Sequence, residues 1–112
     1  MNVHTVAEKL SLRVLAGEAG LSRAVSGCYI GDLLSWVMSR AQEGDVWVTV
    51  MGNINAIAVT KLTDAACILL CENAPLDKDA LEQANLNNIP VLMSKKNAYT
   101  LAEELRDLLK GA

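Results

Sequence analysis

A chain of 112 residues, 52% hydrophobic and with a formal charge of −3, has the length and apolar content for one domain with a real core and is too short for two ordinary ones. The acidic balance and the lack of any Lys/Arg run set aside a surface that tracks nucleic acid phosphates. Met1 to Thr5 shows no basic region followed by an apolar segment, and nowhere do about 18 uncharged apolar residues follow one another, so no leader or membrane span is expected and a cytoplasmic location is.

Residues 1–24 read as a small helix/strand unit. Thr5 is placed to cap a short helix over 6–10, with Glu8 three residues on to complete a capping box. Residues 11–15 alternate as a short strand would, and Gly20 to Arg23 reads as a turn. His4, the only histidine, lies near the start of the chain and receives no role.

From Val25 strands and helices alternate. A first strand over 25–30 is broken by Gly31-Asp32, which is expected to cap a helix over 33–38 with Leu33, Trp36 and Val37 on one face. The run Gly44-Asp45-Val46-Trp47-Val48-Thr49-Val50-Met51-Gly52-Asn53-Ile54-Asn55 organises the rest. It is apolar at nearly every position, as a strand covered on both faces would be, and ends at a glycine followed by a helix-capping asparagine. The helix over 54–62 sets Ile54, Ile57, Ala58 and Lys61 at helical spacing, and Thr63-Asp64 closes it. A buried strand over 66–71 follows, then a helix over 77–87 with Leu76, Ala80, Leu81 and Ala84 inward, a short strand over 89–93, a polar loop over 94–97, and an amphipathic helix over 99–110 carrying a Leu101, Leu105, Leu108, Leu109 stripe.

Cys28, Cys67 and Cys71 are odd in number and form no CxxC pair, which argues against a disulfide framework or a structural zinc site; they read as reduced core thiols. No metal and no cofactor is expected. The order of elements predicts an α/β fold, a three-layer α/β/α sandwich whose mainly parallel sheet has about four strands, plus the N-terminal unit, all in one domain over 1–112.

Ligands of such sheets sit beyond the carboxyl ends of the strands. The candidate binding rim is therefore Gly31, Asp32, Gly52, Asn53, Asn55, Glu72, Asn73, Ser94 and Lys95. Lysines there supply charge and the amides after Gly52 supply donors for a small polar or phosphorylated ligand, although Gly, Asn, Asp and Ser also end elements in any α/β domain. A capping carboxylate is the favoured role for Asp32, with an Asp32/Glu72 acid/base pair as the enzymatic alternative. No phosphate-loop, dinucleotide-fingerprint, nucleophile-elbow or zinc-helix motif occurs, so no catalytic residue is assigned.

The segments "TVAEKLSLRVLAGEAGLSRAVSGCYIGDLLSWV", "GDVWVTVMGNINAIAVTKLTDAACILLCENAPLD" and "IPVLMSKKNAYTLAEEL" together resemble the DRTGG domain, related to the N-terminal domain of HPr kinase/phosphorylase. The resemblance covers almost the whole chain and rests on "GLSRAVSG", "GDVWVT", the turn at Gly52 and the closing "IPVLMS…AYTLAEEL". Only Gly52 of the signature transfers: Asn53-Ile54 stand where the family has Asp-Arg, and Leu70-Cys71-Glu72 lie near its Thr-Gly-Gly. The resemblance implies a non-catalytic regulatory domain that often accompanies CBS domains or catalytic modules and tends to pair with itself. The expected function is thus regulation or ligand sensing by a homodimer, with exposed Trp36, Trp47, Met51 or the last leucine stripe as partner surface. The alternatives are a scaffold for a larger redox or kinase complex and a small-molecule enzyme using the rim.

Overall fold

The computed structural model describes residues 1–111. At Gly44 the backbone takes φ +84, a conformation that glycine alone adopts without strain, and this turn delivers the chain into the β-branched run. That run is a strand, Asp45–Thr49, buried at every position. Its two faces feed two separate cores because successive side chains point to opposite sides. Val46 and Val48 join one core, and Trp47 joins the other.

In chain order the elements are α1 (Val3–Lys9), β1 (Arg13–Ala16), β2 (Gly27–Ile30), α2 (Leu34–Arg40), β3 (Asp45–Thr49), α3 (Ile54–Thr63), β4 (Cys67–Leu70), α4 (Lys78–Leu86), β5 (Val91–Met93) and α5 (Ala98–Lys110), with a 3-10 turn at Glu18–Gly20 before β2. The sheet order is β1-β5-β4-β3-β2. Strands β2 to β5 are parallel, as β-α-β crossovers require, whereas β1 runs antiparallel to β5 with a slip of register between Val14 and Ala16. The expected three-layer α/β/α fold is borne out, with five strands where about four were expected: the N-terminal strand belongs to the same sheet. The run around Trp47 is an interior strand but stands next to the edge, and β4 holds the centre.

One face of the sheet packs against Val3, Val6 and Ala7 of α1 and Leu101 and Leu105 of α5. The other packs against Val37 of α2, Ala56, Ile57 and Val59 of α3, and Ala80 and Ala84 of α4. Cys67 and Cys71 lie on one side, in the first of these cores, and both are buried free thiols. Burial pushes the Cys67 thiol up to about 12 and raises that of Cys71.

Several local expectations are corrected. The first helix begins three residues earlier than residues 6–10 allow, and its cap is Asn2, whose side-chain oxygen accepts from Thr5 N–H at 2.9 Å. Thr5 lies inside the helix, and Glu8 pairs with His4 at 2.8 Å instead of reaching back to a cap. Both Asn2 and Thr5 carry a capping oxygen, and the helix uses the one that lets Val3 and Val6 reach the core. The strand expected over 25–30 is Gly27–Ile30.

Helix α2 starts at Leu34 behind Leu33, with no side-chain cap, so Gly31-Asp32 does not cap it. Of Leu33, Trp36 and Val37, only Val37 is buried; Leu33 is 60% and Trp36 52% exposed, with the Arg40 guanidinium stacked 3.7 Å over the Trp36 ring. In α3 the buried positions are Ala56, Ile57, Val59 and Thr60, while Ile54, Ala58 and Lys61 face outward. That helix carries apolar residues on every side, so spacing alone does not pick the face that packs.

Candidate functional site

The carboxyl ends of β2 to β5 all emerge on one side, which brings the predicted rim residues to one end of the sheet. They divide into three groups with different chemistry. At the β2 end, Asp32 Oδ1 accepts from Thr49 Oγ1 at 2.6 Å and from Val50 N–H at 3.1 Å. Thr49 is buried, and its hydroxyl oxygen accepts in turn from Met51 N–H at 3.2 Å. Asp32 therefore ties the exit of β2 to the exit of β3 and is not a helix cap. The Gly31 carbonyl is taken by Trp47 Nε1–H at 2.9 Å. Leu33, Val50 and Ile54 are exposed around this end, which makes it an apolar surface with a committed carboxylate.

The middle of the rim is closed. Asn53 caps α3, its Oδ1 accepting from Ala56 N–H at 3.0 Å, and Asn55 is exposed on the first turn. The Gly52 carbonyl accepts from Asp77 N–H at 2.8 Å, which lays the Pro75–Leu76 backbone directly over Gly52. A side chain at 52 would overlap the Pro75 carbonyl, so glycine here serves close approach of backbone to backbone.

At the β4–β5 end, Glu72 and Asn73 both take left-handed conformations, φ 53 and 57. Their N–H groups donate to Lys96 O at 2.9 Å and Ser94 O at 2.8 Å, and Ser94 N–H donates to Leu70 O at 2.9 Å. This double turn zips the two strand exits together and leaves a cavity of about 300 Å³ beside them. Asn73, Ser94 and Lys95 line it, joined by Ser11, Arg13 and Met93. Lys96 also borders it, with its ammonium committed to Glu104 at 2.7 Å. Among the described residues, neither Arg13 nor Lys95 has a carboxylate within 4.0 Å.

Two uncompensated cations, a hydroxyl and a carboxamide around a cavity of this size suit a small anion such as a phosphate or diphosphate group. Of the nine predicted rim residues the structure gathers Asn73, Ser94 and Lys95 in one cavity, with Glu72 beside them. Gly31 and Asp32 lie at the far end, with Gly52 and Asn53 closed between. Asp32 and Glu72 leave strands separated by β3, about 10 Å apart at ordinary strand spacing, and Asp32 already accepts two hydrogen bonds. Ser11 and Arg13 were missed. They reach the site because β1 pairs with β5, Arg13 opposite Met93, a contact between distant parts of the chain that no local pattern announces.

Among the described residues no group of three His, Cys, Asp or Glu side chains is placed to hold a metal ion, and no helix is long and apolar enough to cross a membrane. A family model described as the DRTGG domain matches residues 5–108. Among solved structures, the fold is similar to the CBS and DRTGG domains of the regulatory region of Clostridium perfringens pyrophosphatase, a structure complexed with its activator, diadenosine tetraphosphate. The two superpose with a TM-score of 0.66 at 15% sequence identity, over 89% of this chain and 44% of that one, so the chain spans less than half of that region. No curated protein matches the sequence.

Proposed function

The chain belongs to the DRTGG domain family, and from that premise we propose that it is a non-catalytic regulatory module of the cytoplasm, one that senses a small polyphosphorylated, nucleotide-like ligand and works as a homodimer. The observation that carries the ligand reading is the cavity at the β4–β5 exits, where Arg13 and Lys95 stand without carboxylate partners beside Ser94 and Asn73. At about 300 Å³ the cavity is at the small end for ligand sites and takes the phosphate chain, leaving a nucleoside on the surface. The Clostridium regulatory region, which binds a dinucleoside polyphosphate, supports the choice of ligand class.

The test is thermal unfolding against ATP, diadenosine tetraphosphate and inorganic pyrophosphate. A ligand at 100 times its dissociation constant adds about 2.7 kcal/mol to stability. Wild type shifts with at least one of the three, and Arg13→Glu and Lys95→Glu lose the shift while Asp32→Asn retains it. No shift with any polyphosphate, or an unchanged shift in Lys95→Glu, removes the cavity as the site. A second reading, a platform for a larger protein partner, draws on exposed Leu33, Val50 and Ile54 at the other end of the rim. Losing partner capture on Leu33→Asp without losing the polyphosphate shift would favour it.

A further inference from the structure

The face of β2 that its neighbours bury is left bare. Cys28 and Ile30 pair in register with Val46 and Val48 and so share their side of the sheet, yet both valines are buried whereas Cys28 and Ile30 are exposed. β2 is also an edge strand, with β3 on one side and, among the described residues, no strand on the other. Between it and α5 runs a largely apolar groove of about 690 Å³, floored by Cys28, Ile30 and Leu105 and walled by Ala102, Arg106 and Leu109.

An open strand beside an open apolar groove asks for an occupant that supplies both a strand and a helix face. The charges on α5 say which. On its β2-side flank the helix presents Ala102, Arg106 and Lys110 to the groove, helical spacing sets Tyr99 and Glu103 one turn or less from this row on the outer surface, and Glu104 points to the opposite side and Lys96. Set antiparallel to a copy of itself, this flank is self-complementary. A dyad that faces Glu103 to Arg106 of the second copy does so twice, and faces Tyr99 to Lys110 of that copy as well, because both pairs are centred between Glu104 and Leu105.

We propose that a second copy of this chain docks here, β2 pairing antiparallel with β2 about a two-fold axis normal to the sheet, and α5 closing over both grooves against its counterpart. The proposal rests on the homodimer reading above and names its surface. Strands about 4.8 Å apart bring two helices lying over the β2 side of their sheets to roughly the 8–10 Å of ordinary helix packing.

The test is light scattering and sedimentation on the wild-type chain and on Glu103→Arg and Arg106→Glu. Wild type is expected as a dimer. Each single reversal sets like charges opposite one another twice and should weaken dimerisation by about tenfold or more. Mixing the two variants in equal amounts should restore a heterodimer, since every facing pair is then opposite in charge, and the double swap should restore the homodimer. Rescue on mixing also excludes misfolding as the cause of the loss. A wild-type dimer that both single variants retain overturns this surface and leaves the homodimer reading standing. A wild-type monomer at 100 times the working concentration of the thermal assay overturns both.

Discussion

Replacing Gly52 with alanine tests the closed middle of the rim. The added methyl would overlap the Pro75 carbonyl oxygen and press on Leu76 Cα at 3.0 Å. Both are backbone atoms, so relief requires moving the following loop and not merely rotating a side chain. That loop is held by Asp77 N–H donating to the Gly52 carbonyl at 2.8 Å. Overpacking of this kind costs about 1–3 kcal/mol, and a lost backbone hydrogen bond about 1 kcal/mol more. Alanine's narrower unfolded ensemble offsets roughly 0.5 kcal/mol. The expected net loss is about 1.5–3.5 kcal/mol, which lowers Tm by roughly 6–15 °C in a domain of this size. Urea unfolding followed by the fluorescence of Trp47, which is fully buried, reads it directly. Gly111→Ala is the control: its nearest contacts lie at 3.7 and 3.8 Å, ordinary van der Waals range, and it should stay within about 0.5 kcal/mol of wild type. If Gly52→Ala proves as harmless as Gly111→Ala, the loop does not cover the Gly52 turn, and the division of the rim into closed and open parts is wrong.

Two further outcomes are expected. Asn2→Ala removes the cap of α1 and should cost about 1 kcal/mol by thermal unfolding, with Asn2→Asp close to neutral; equal values for the two would return the cap to Thr5. Burial holds the Cys67 thiol protonated to about pH 12 against an ordinary value of 9.0, so the folded chain keeps a proton that the unfolded chain releases. Its contribution is intact below pH 9 and is lost as pH rises toward 12, by up to about 1.4 kcal/mol per pH unit. Cys67→Ala should therefore flatten the alkaline decline measured by urea titration at pH 8 to 11; an unchanged slope would show that Cys67 does not titrate as a buried group.

Legibility followed the range of the interactions. The run through Trp47 announced itself because nearly every position is apolar and both ends carry turn residues, and α5 did so because its leucines recur at helical spacing. The cap of α1 was misassigned because Asn2 and Thr5 both fit the local rule, and the core's hold on Val3 and Val6 decided between them. The packing face of α3 was not legible because Ile54 and Ala58 are as apolar as Ala56 and Val59, leaving little contrast for periodicity to report. In the candidate site, Asn73, Ser94 and Lys95 were visible as turn residues at strand ends. Arg13 was not, since its arrival depends on β1 crossing the molecule to pair with β5. Asp32 looked like a cap because it precedes a helix, and its bonds to Thr49 and Val50 span a strand exit that the sequence does not display.

The slipped ladder between Val14 and Ala16 bears on stoichiometry. A strand whose N–H and C=O groups fall out of step is a poor template for a further chain, and Arg13 adds a charge that any chain docking there would have to desolvate. Of the two edge strands of this sheet, β2 pairs with its neighbour in unbroken register and β1 does not. In the proposed β2-paired dimer each end of the joined sheet is a slipped β1, a terminus that does not propagate, so that pairing would stop at two copies and guard against fibres.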